Sequence, residues 1–141
     1  MTDKAAAALK TAITMRLDAV AEEHRLKHQD SYANRYRMRS AHDAPIEIMF
    51  EKGANTPPHL WVLAEHFAPL AGSGLDAQPY PKEDLYTVPA KGGGMQYGRH
   101  SALEDMPLLG KADLVRVTLR SKAELDQILS VLSQVQRKGV R

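Results

Sequence analysis

The strand-like segments of this chain follow one another in the sequence, and this grouping constrains the fold more than any other feature. Apolar and polar residues alternate at 35–39 and 46–50, with the period of two that is typical of half-buried strands. The apolar segment 60–64 predicts a central strand buried on both faces. Residues 113–119 predict a late strand and residues 85–88 a short one. Because no helix separates the grouped strands, we expect an α+β fold with a mainly antiparallel sheet of about four to five strands.

Helical patterns stand at both ends of the chain. Residues Asp3 to about Gln29 predict an amphipathic helix, because the following residues recur at spacings of three and four: Leu9, Ile13, Leu17, Val20 and His24. The C-terminal helix begins with a capping box of Ser121 and Glu124, and its apolar stripe comprises Leu125, Ile128, Leu129, Leu132 and Val135. We expect both helices to pack on the sheet within a single domain that spans residues 1–141.

The composition excludes several classes of protein. Of the 141 residues, 43% are hydrophobic and 26% are charged, which is typical of a globular domain rather than a disordered or fibrous chain. The absence of Cys excludes disulfide scaffolds, thiolate nucleophiles, iron–sulfur clusters and cysteine-based zinc sites. No apolar stretch approaches the ~20 residues of a membrane-spanning helix, and the N-terminus lacks the apolar core of a signal peptide. We therefore expect a cytoplasmic protein that makes no membrane contact.

Two segments are rich in turn-forming residues. Residues 67–83 contain Pro or Gly at five positions, which predicts a loop. The segment 89–112 is long for a connection between strands, and loops of this length in compact domains are commonly functional or disordered. Within it, Ser101 and Glu104 repeat the capping-box pattern, which predicts a short helix that begins just after His100.

Basic residues and glycines coincide in this second loop. Backbone N–H groups at the start of a helix attract anions, and glycines allow a backbone to approach an anion closely. We therefore predict an anion site formed by Lys91, Gly93, Gly94, Tyr97, Arg99, His100 and Ser101. The spacing matches neither the phosphate-binding loop of nucleotide hydrolases nor the dinucleotide-binding glycine pattern. The alternative is a flexible surface loop in which Arg99 forms only an exposed ion pair.

A second concentration of positive charge lies between residues 25 and 39. Five basic residues are offset there only by Asp30, a local balance of five minus one, or +4: Arg25, Lys27, Arg35, Arg37 and Arg39. Tyr32 and Tyr36 are interleaved with them, and RNA-binding surfaces combine guanidinium groups on phosphates with aromatic rings on bases. We predict that Arg35, Tyr36, Arg37 and Arg39 contact nucleic acid. The alternative is a solvated strand face with both tyrosines in or beside the core.

The histidines and carboxylates do not indicate a metal site. His24 and His28 are four residues apart, but this pair lacks the glutamate that accompanies it in zinc proteases. Glu47 and Glu51 lie on the same face of one strand, about 13 Å apart, which is too far for one metal ion to bridge them. We interpret both carboxylates as solvent-facing, and the histidines as surface or packing residues.

Together these features predict an intracellular binding protein for a phosphate-bearing partner, with nucleic acid as the favoured partner and no cofactor. Two alternatives remain open. In the first, the protein is a nuclease-like enzyme in which His100 acts as acid or base beside Arg99 on a phosphate ester or phosphodiester. In the second, the alanine-rich N-terminal helix mediates self-association into a homodimer.

Overall fold

A six-stranded antiparallel sheet organises the chain. The computed structural model of the protein describes residues 3–86, 88–89 and 91–137. The strands are β1 Glu22–Glu23, β2 Ala33–Arg39, β3 Pro45–Glu51, β4 His59–Leu63, β5 Ala77–Tyr80, β6 Val88–Pro89, β7 Met95–Gln96 and β8 Leu114–Thr118. The sheet has the order β1-β2-β3-β4-β8-β5, and β6 pairs separately with β7. All of these pairings are antiparallel.

Two long helices cover one face of the sheet, which we call the helical face. They are α1 Asp3–Val20 and α3 Lys122–Leu132, and the short helix α2 Ala64–Phe67 lies between them in sequence. Alternation in β3 directs Ile46, Ile48 and Phe50 to this face, where they pack in one core with the following residues of α1 and α3: Ile13, Leu17, Leu125, Ile128, Leu129 and Leu132. The expected α+β class and terminal helices are confirmed, with six strands in the sheet rather than four to five.

The opposite face is covered by residues 97–112, which we call the cover segment. This segment contains a single 3-10 turn at Ser101–Leu103. Its apolar side chains form a second core with residues of β2, β3, β4 and β8: Ala102, Leu103, Met106 and Leu109 pack with Ala33, Met49, Trp61, Leu63 and Leu114. The predicted burial of β4 on both faces is confirmed, since all five of its residues are buried.

Two local predictions about the extent of elements are wrong. The N-terminal helix ends at Val20 instead of continuing to Gln29, because Glu22 and Glu23 pair with β2 and the His24 side chain enters the covered face. The predicted loop 67–83 contains β5, in which Pro79 is accommodated because β5 is an edge strand. Of the strand predicted at 85–88, Leu85 and Tyr86 form a turn, Val88 belongs to β6, and Thr87 lies outside the described residues.

The caps of the later elements follow directly from their sequences. The Ser121 hydroxyl accepts a hydrogen bond from the Glu124 N–H at 3.2 Å, as the capping box predicts. At the 3-10 turn, by contrast, the cap is His100, whose Nδ1 accepts from the Ala102 N–H at 3.1 Å. None of the helices within the described residues is both long and apolar enough to cross a membrane.

Candidate anion-binding site

An open cavity of about 650 Å³, which we call the arginine cavity, lies at the β1–β2 edge of the sheet. It lies where the outer strands meet residues 107 and 108 of the cover segment. We name it after three of its lining residues, Arg25, Arg37 and Arg39. The remaining lining residues are Glu22, His24, Met38, Pro45, Ile46, Glu47, Pro107 and Leu108. Cavities of this size accommodate a small organic molecule.

Strand alternation brings the arginines to one side. Arg37 pairs with Glu47 across the β2–β3 ladder, so it shares the covered face with that carboxylate. Arg39 lies two residues further along the same strand and therefore faces the same way. Arg25 follows β1, whose two residues pair with β2. The arrangement thus combines an arginine from a loop with two arginines from a strand.

The cavity arginines have only exposed ion pairs. Arg37 Nε lies 3.4 Å from Glu22 Oε2, with 53% and 77% of the two side chains exposed. Arg39 Nη1 lies 3.2 Å from Asp43 Oδ1, and both of these side chains are more than half exposed. Arg25 has no ion pair within the described part of the chain. Exposed ion pairs contribute only about 0–1 kcal/mol, so an incoming anion can replace these carboxylates at little cost.

A buried ionisable pair closes the base of the cavity. His24 Nδ1 accepts from the Leu26 N–H at 3.1 Å, so Nε2 carries the ring proton and donates to Glu47 Oε2 at 2.7 Å. Glu47 Oε1 accepts from the N–H groups of Leu108 and Leu109 at 2.8 and 3.0 Å. Glu47 therefore attaches the cover segment to the sheet and fixes the wall that Leu108 forms.

The prediction of solvent-facing carboxylates on β3 is wrong. Glu47 and Glu51 are only 6% and 7% exposed. Alternation placed them correctly on one face, but it gave no indication that the cover segment lies over that face. His24 and His59 are buried against these carboxylates, in agreement with their interpretation as packing residues.

Glu51 forms the second buried polar group beneath the cover segment. Its Oε2 accepts from Trp61 Nε1 at 2.7 Å and lies 3.1 Å from His59 Nδ1. Burial raises the pKa of the Glu51 carboxyl, but the hydrogen bonds from His59 and Trp61 outweigh burial, and the net pKa is lowered. Burial also lowers the pKa of the nearby His100, with the charge of Arg35 acting in the same direction and that of Glu51 opposing it.

Three of the residues predicted in the 91–101 loop make hydrogen bonds to the main chain. Arg99 Nη2 donates to the Tyr80 carbonyl of β5 at 2.5 Å, and His100 is occupied in capping the 3-10 turn. Tyr97 donates to the Gly110 carbonyl at 2.6 Å. The other predicted residues of this loop are exposed: Lys91, Gly93, Gly94 and Ser101.

The predicted arginine strand is divided between two roles. Arg35 donates to three main-chain carbonyls, those of Leu26, Lys27 and Ala102, and so links three segments of the chain. Tyr36 is 1% exposed and donates to Asp18 Oδ1 at 2.8 Å, so its ring is not accessible to a nucleic-acid base. Of the predicted strand residues, Arg37 and Arg39 line the cavity.

The sheet keeps Arg99 apart from the arginine cavity. Arg99 contacts β5 at one edge, whereas Arg37 and Arg39 belong to β2 near the other edge. Four strand spacings separate β2 from β5, which is roughly 19 Å. The structure therefore brings Arg37 and Arg39 together with Arg25, and it does not bring them together with Arg99.

Sequence reasoning missed two features of the covered face. Pro107 and Leu108 line the cavity, and no local pattern marks them because their position depends on Glu47, about sixty residues earlier. Arg116 lies over the rings of Trp61 and Tyr80, at 6.0 and 5.2 Å from their centroids. The direct pairing of Trp61 with Arg116 across β4 and β8 produces this contact.

Neither a family model, nor a curated protein, nor a solved structure matches the chain. Within the described residues, no group of three or more histidines and carboxylates is placed to hold a metal ion. The chemistry of the site is therefore argued from its own side chains: three guanidinium groups beside a cavity with a partly apolar wall.

Proposed function

We propose that this protein binds a small phosphate-bearing anion in the arginine cavity. The observation that carries the proposal is the convergence of Arg25, Arg37 and Arg39 on one cavity, where the contacts of Arg37 with Glu22 and of Arg39 with the side chain and carbonyl of Asp43 are all exposed. Guanidinium groups present several N–H donors in a fixed plane, and this geometry matches phosphate oxygens. A bound phosphate would replace Glu22 and Asp43 as partner of the two strand arginines.

Nucleic acid is the alternative phosphate-bearing partner. The cavity supports a small ligand better, because its described lining includes no Phe, Tyr or Trp, and the His24 ring is only 3% exposed, so no aromatic ring is open for a base to stack on. Tyr36, the aromatic residue in the arginine strand, is buried in the helical-face core. Binding of a polyanion would rest on Arg37 and Arg39 without that stacking contribution.

The other two alternatives have less support. Arg99 and His100 each make a hydrogen bond to the main chain, and neither residue lines the arginine cavity. For self-association, the helix α1 contributes Ile13 and Leu17 to the protein's own core, which gives its apolar face an intramolecular partner.

The proposal is tested by calorimetric titration of the intact chain with inorganic phosphate and pyrophosphate. We expect pyrophosphate binding that weakens as salt increases, because exposed charges are screened. Arg37→Gln and Arg39→Gln each remove a charge-assisted contact and should weaken binding by about tenfold or more. Arg16→Gln is the matched control, since Arg16 pairs with Asp126 on the helical face, and it should change the affinity less than twofold.

A short single-stranded RNA provides the discriminating comparison. The proposal is overturned if neither phosphate nor pyrophosphate binds, or if the cavity variants bind as tightly as the control. RNA binding by a chain that does not bind pyrophosphate would favour the nucleic-acid alternative instead. Thermal unfolding of each variant verifies that the fold is retained.

A further inference from the structure

A second cavity continues from the arginine cavity. Its volume is about 290 Å³, and it shares Pro45 and Leu108 with the first. Ala44, Leu63 and Val135 line its apolar part. The two cavities therefore adjoin on one surface, which we call the groove, and Pro45 and Leu108 stand between the arginines and the second cavity.

The chemical character of this groove changes along its length. Arg25, Arg37 and Arg39 stand at one end, whereas the shared middle is formed by Pro45 and Leu108. The far side of the second cavity is polar again, because its lining there consists of Glu65, His66, Gln136 and Arg137. A compact polar anion would occupy only the cationic end and would leave the apolar middle in contact with water. A ligand with an apolar body would cover it.

We propose that the natural ligand is an amphipathic anion, a single molecule with a phosphate head and an alkyl or acyl body. The head binds Arg25, Arg37 and Arg39, and the body passes Pro45 and Leu108 into the second cavity. This inference rests on the proposed function, since it assigns the rest of the ligand whose anionic group the arginine cavity binds. Charge complementarity at one end and apolar side chains in the middle select this chemistry over an inorganic anion.

The length of the ligand's alkyl chain is the variable that tests the inference. Burial of one methylene group increases affinity up to about fourfold. In calorimetric titrations with ethyl, butyl, hexyl and octyl phosphate, kept below their micelle-forming concentrations, we expect the affinity to rise at least tenfold from ethyl to hexyl. A smaller rise overturns the inference. If Arg37→Gln still weakens pyrophosphate binding by about tenfold or more in that case, the proposed function stands without this inference.

Leu108→Gln tests the position of the alkyl body. Leu108 is partly exposed and holds Glu47 through its backbone N–H, which the substitution keeps. We expect the variant to lose most of the affinity advantage that hexyl phosphate has over ethyl phosphate in the wild type. The matched control is Leu75→Gln, since Leu75 is also partly exposed and lines a different cavity beside β5. An equal loss in both variants, or in neither, contradicts the assigned path.

Vesicles distinguish a single bound molecule from a membrane surface. Sedimentation with phosphatidylcholine vesicles that contain phosphatidic acid reports surface binding, whereas titration with monomeric alkyl phosphate reports occupancy of the groove. We expect the monomer to bind and to compete with any vesicle association. Vesicle binding without monomer binding would overturn the inference and point to a lipid surface.

Discussion

At the scale of single residues, Glu47 links the sheet to the cover segment. One oxygen accepts from His24, and the other accepts from two backbone N–H groups of the cover segment. Glu47→Ala leaves two buried donors and one partly buried donor without an acceptor and creates a void, so we expect it to lower the free energy of unfolding by about 3–5 kcal/mol. Urea unfolding measures this loss.

The matched control for this substitution is Glu22→Ala. Glu22 lies on the same edge of the sheet, but its side chain is 77% exposed, and Arg37 is its one ion-pair partner among the described residues. We expect a change of about 0.5 kcal/mol or less for this variant. Equal stability losses for the two variants would show that the hydrogen bonds of Glu47 do not hold the cover segment.

His100 gives the stability a dependence on pH near neutrality. Burial lowers the pKa of His100 in the folded protein, while the unfolded chain keeps a value of about 6.5. Below this pH the unfolded state binds more protons, so the free energy of unfolding falls as pH decreases from about 6.5 through the lowered folded pKa. Above pH 7.5, His100 adds nothing to the change of the unfolding free energy with pH. Urea unfolding at several pH values between 5 and 8 measures the effect.

The variant His100→Asn isolates this contribution, because asparagine also caps a helical turn and does not titrate. We expect a smaller slope below pH 6.5 and no new slope above it. A residual slope of the same sign remains, since burial lowers the pKa of His28 as well. An unchanged slope in His100→Asn would assign the whole pH dependence to other groups.

At the scale of elements, the sequence predicts the secondary structure of a segment more reliably than it predicts which part of the chain packs over that segment. The period of two at 46–50 correctly assigned the two faces of β3, and the capping box at Ser121 correctly located the start of α3. The helix predicted from the spacing of residues up to His24 is too long, because Glu22 and Glu23 pair with the edge of the sheet and His24 is buried. Both are tertiary contacts. Local periodicity contains no information about such partners.

The same limit applies to the candidate site. The alternation of Arg35, Arg37 and Arg39 was visible in the sequence, and it placed them correctly on one side of β2. Their different roles were not visible, because Arg35 is the residue that the 24–28 turn and the cover segment reach. Arg37 and Arg39 make only exposed contacts, Arg37 with Glu22 and Arg39 with Asp43.

Arg35 should therefore contribute more to the free energy of unfolding than Arg37, which lies two residues further along the same strand. Arg35→Met removes hydrogen bonds to three carbonyls in two segments, and we expect a loss of about 2–3 kcal/mol. Arg37→Met should cost about 0.5 kcal/mol or less, because its ion pair is exposed. Hydrogen exchange should accelerate at residues 24–28 and 101–103 in Arg35→Met alone. Similar exchange in both variants would contradict the linking role.

At the scale of the whole molecule, the two faces of the sheet are covered by different kinds of structure. Helices cover one face with long apolar stripes, whereas the other face is covered by a segment of turns whose helical part is the 3-10 turn at Ser101–Leu103. Hydrogen bonds from the cover to Glu47 of β3 and from Arg35 of β2 to the cover join it to the sheet, so its position depends on these two side chains. The arginine cavity lies where this cover meets the sheet edge, and its shape therefore depends on the cover.

Gly110 allows a test of this dependence from outside the cavity. A Cβ at this position would lie 2.7–2.8 Å from the carbonyl oxygens of Leu103, Glu104 and Met106, so Gly110→Ala must displace the cover segment. We expect a stability loss of about 2–4 kcal/mol and a red-shifted emission from Trp61, the only tryptophan, which is 2% exposed beneath the cover. Pyrophosphate affinity should also fall, because Leu108 moves with the segment.

The control for this substitution is Gly94→Ala. Gly94 has a positive φ of 74° but nothing within 4 Å of its Cβ position, so the substitution strains one exposed turn by about 1 kcal/mol. It should change neither the emission of Trp61 nor the affinity for pyrophosphate. If Gly110→Ala shifts the emission and leaves pyrophosphate binding intact, the arginines hold their ligand without the wall at Leu108. The contribution of the cover segment to the site would then be excluded, while that of Arg37 and Arg39 would remain.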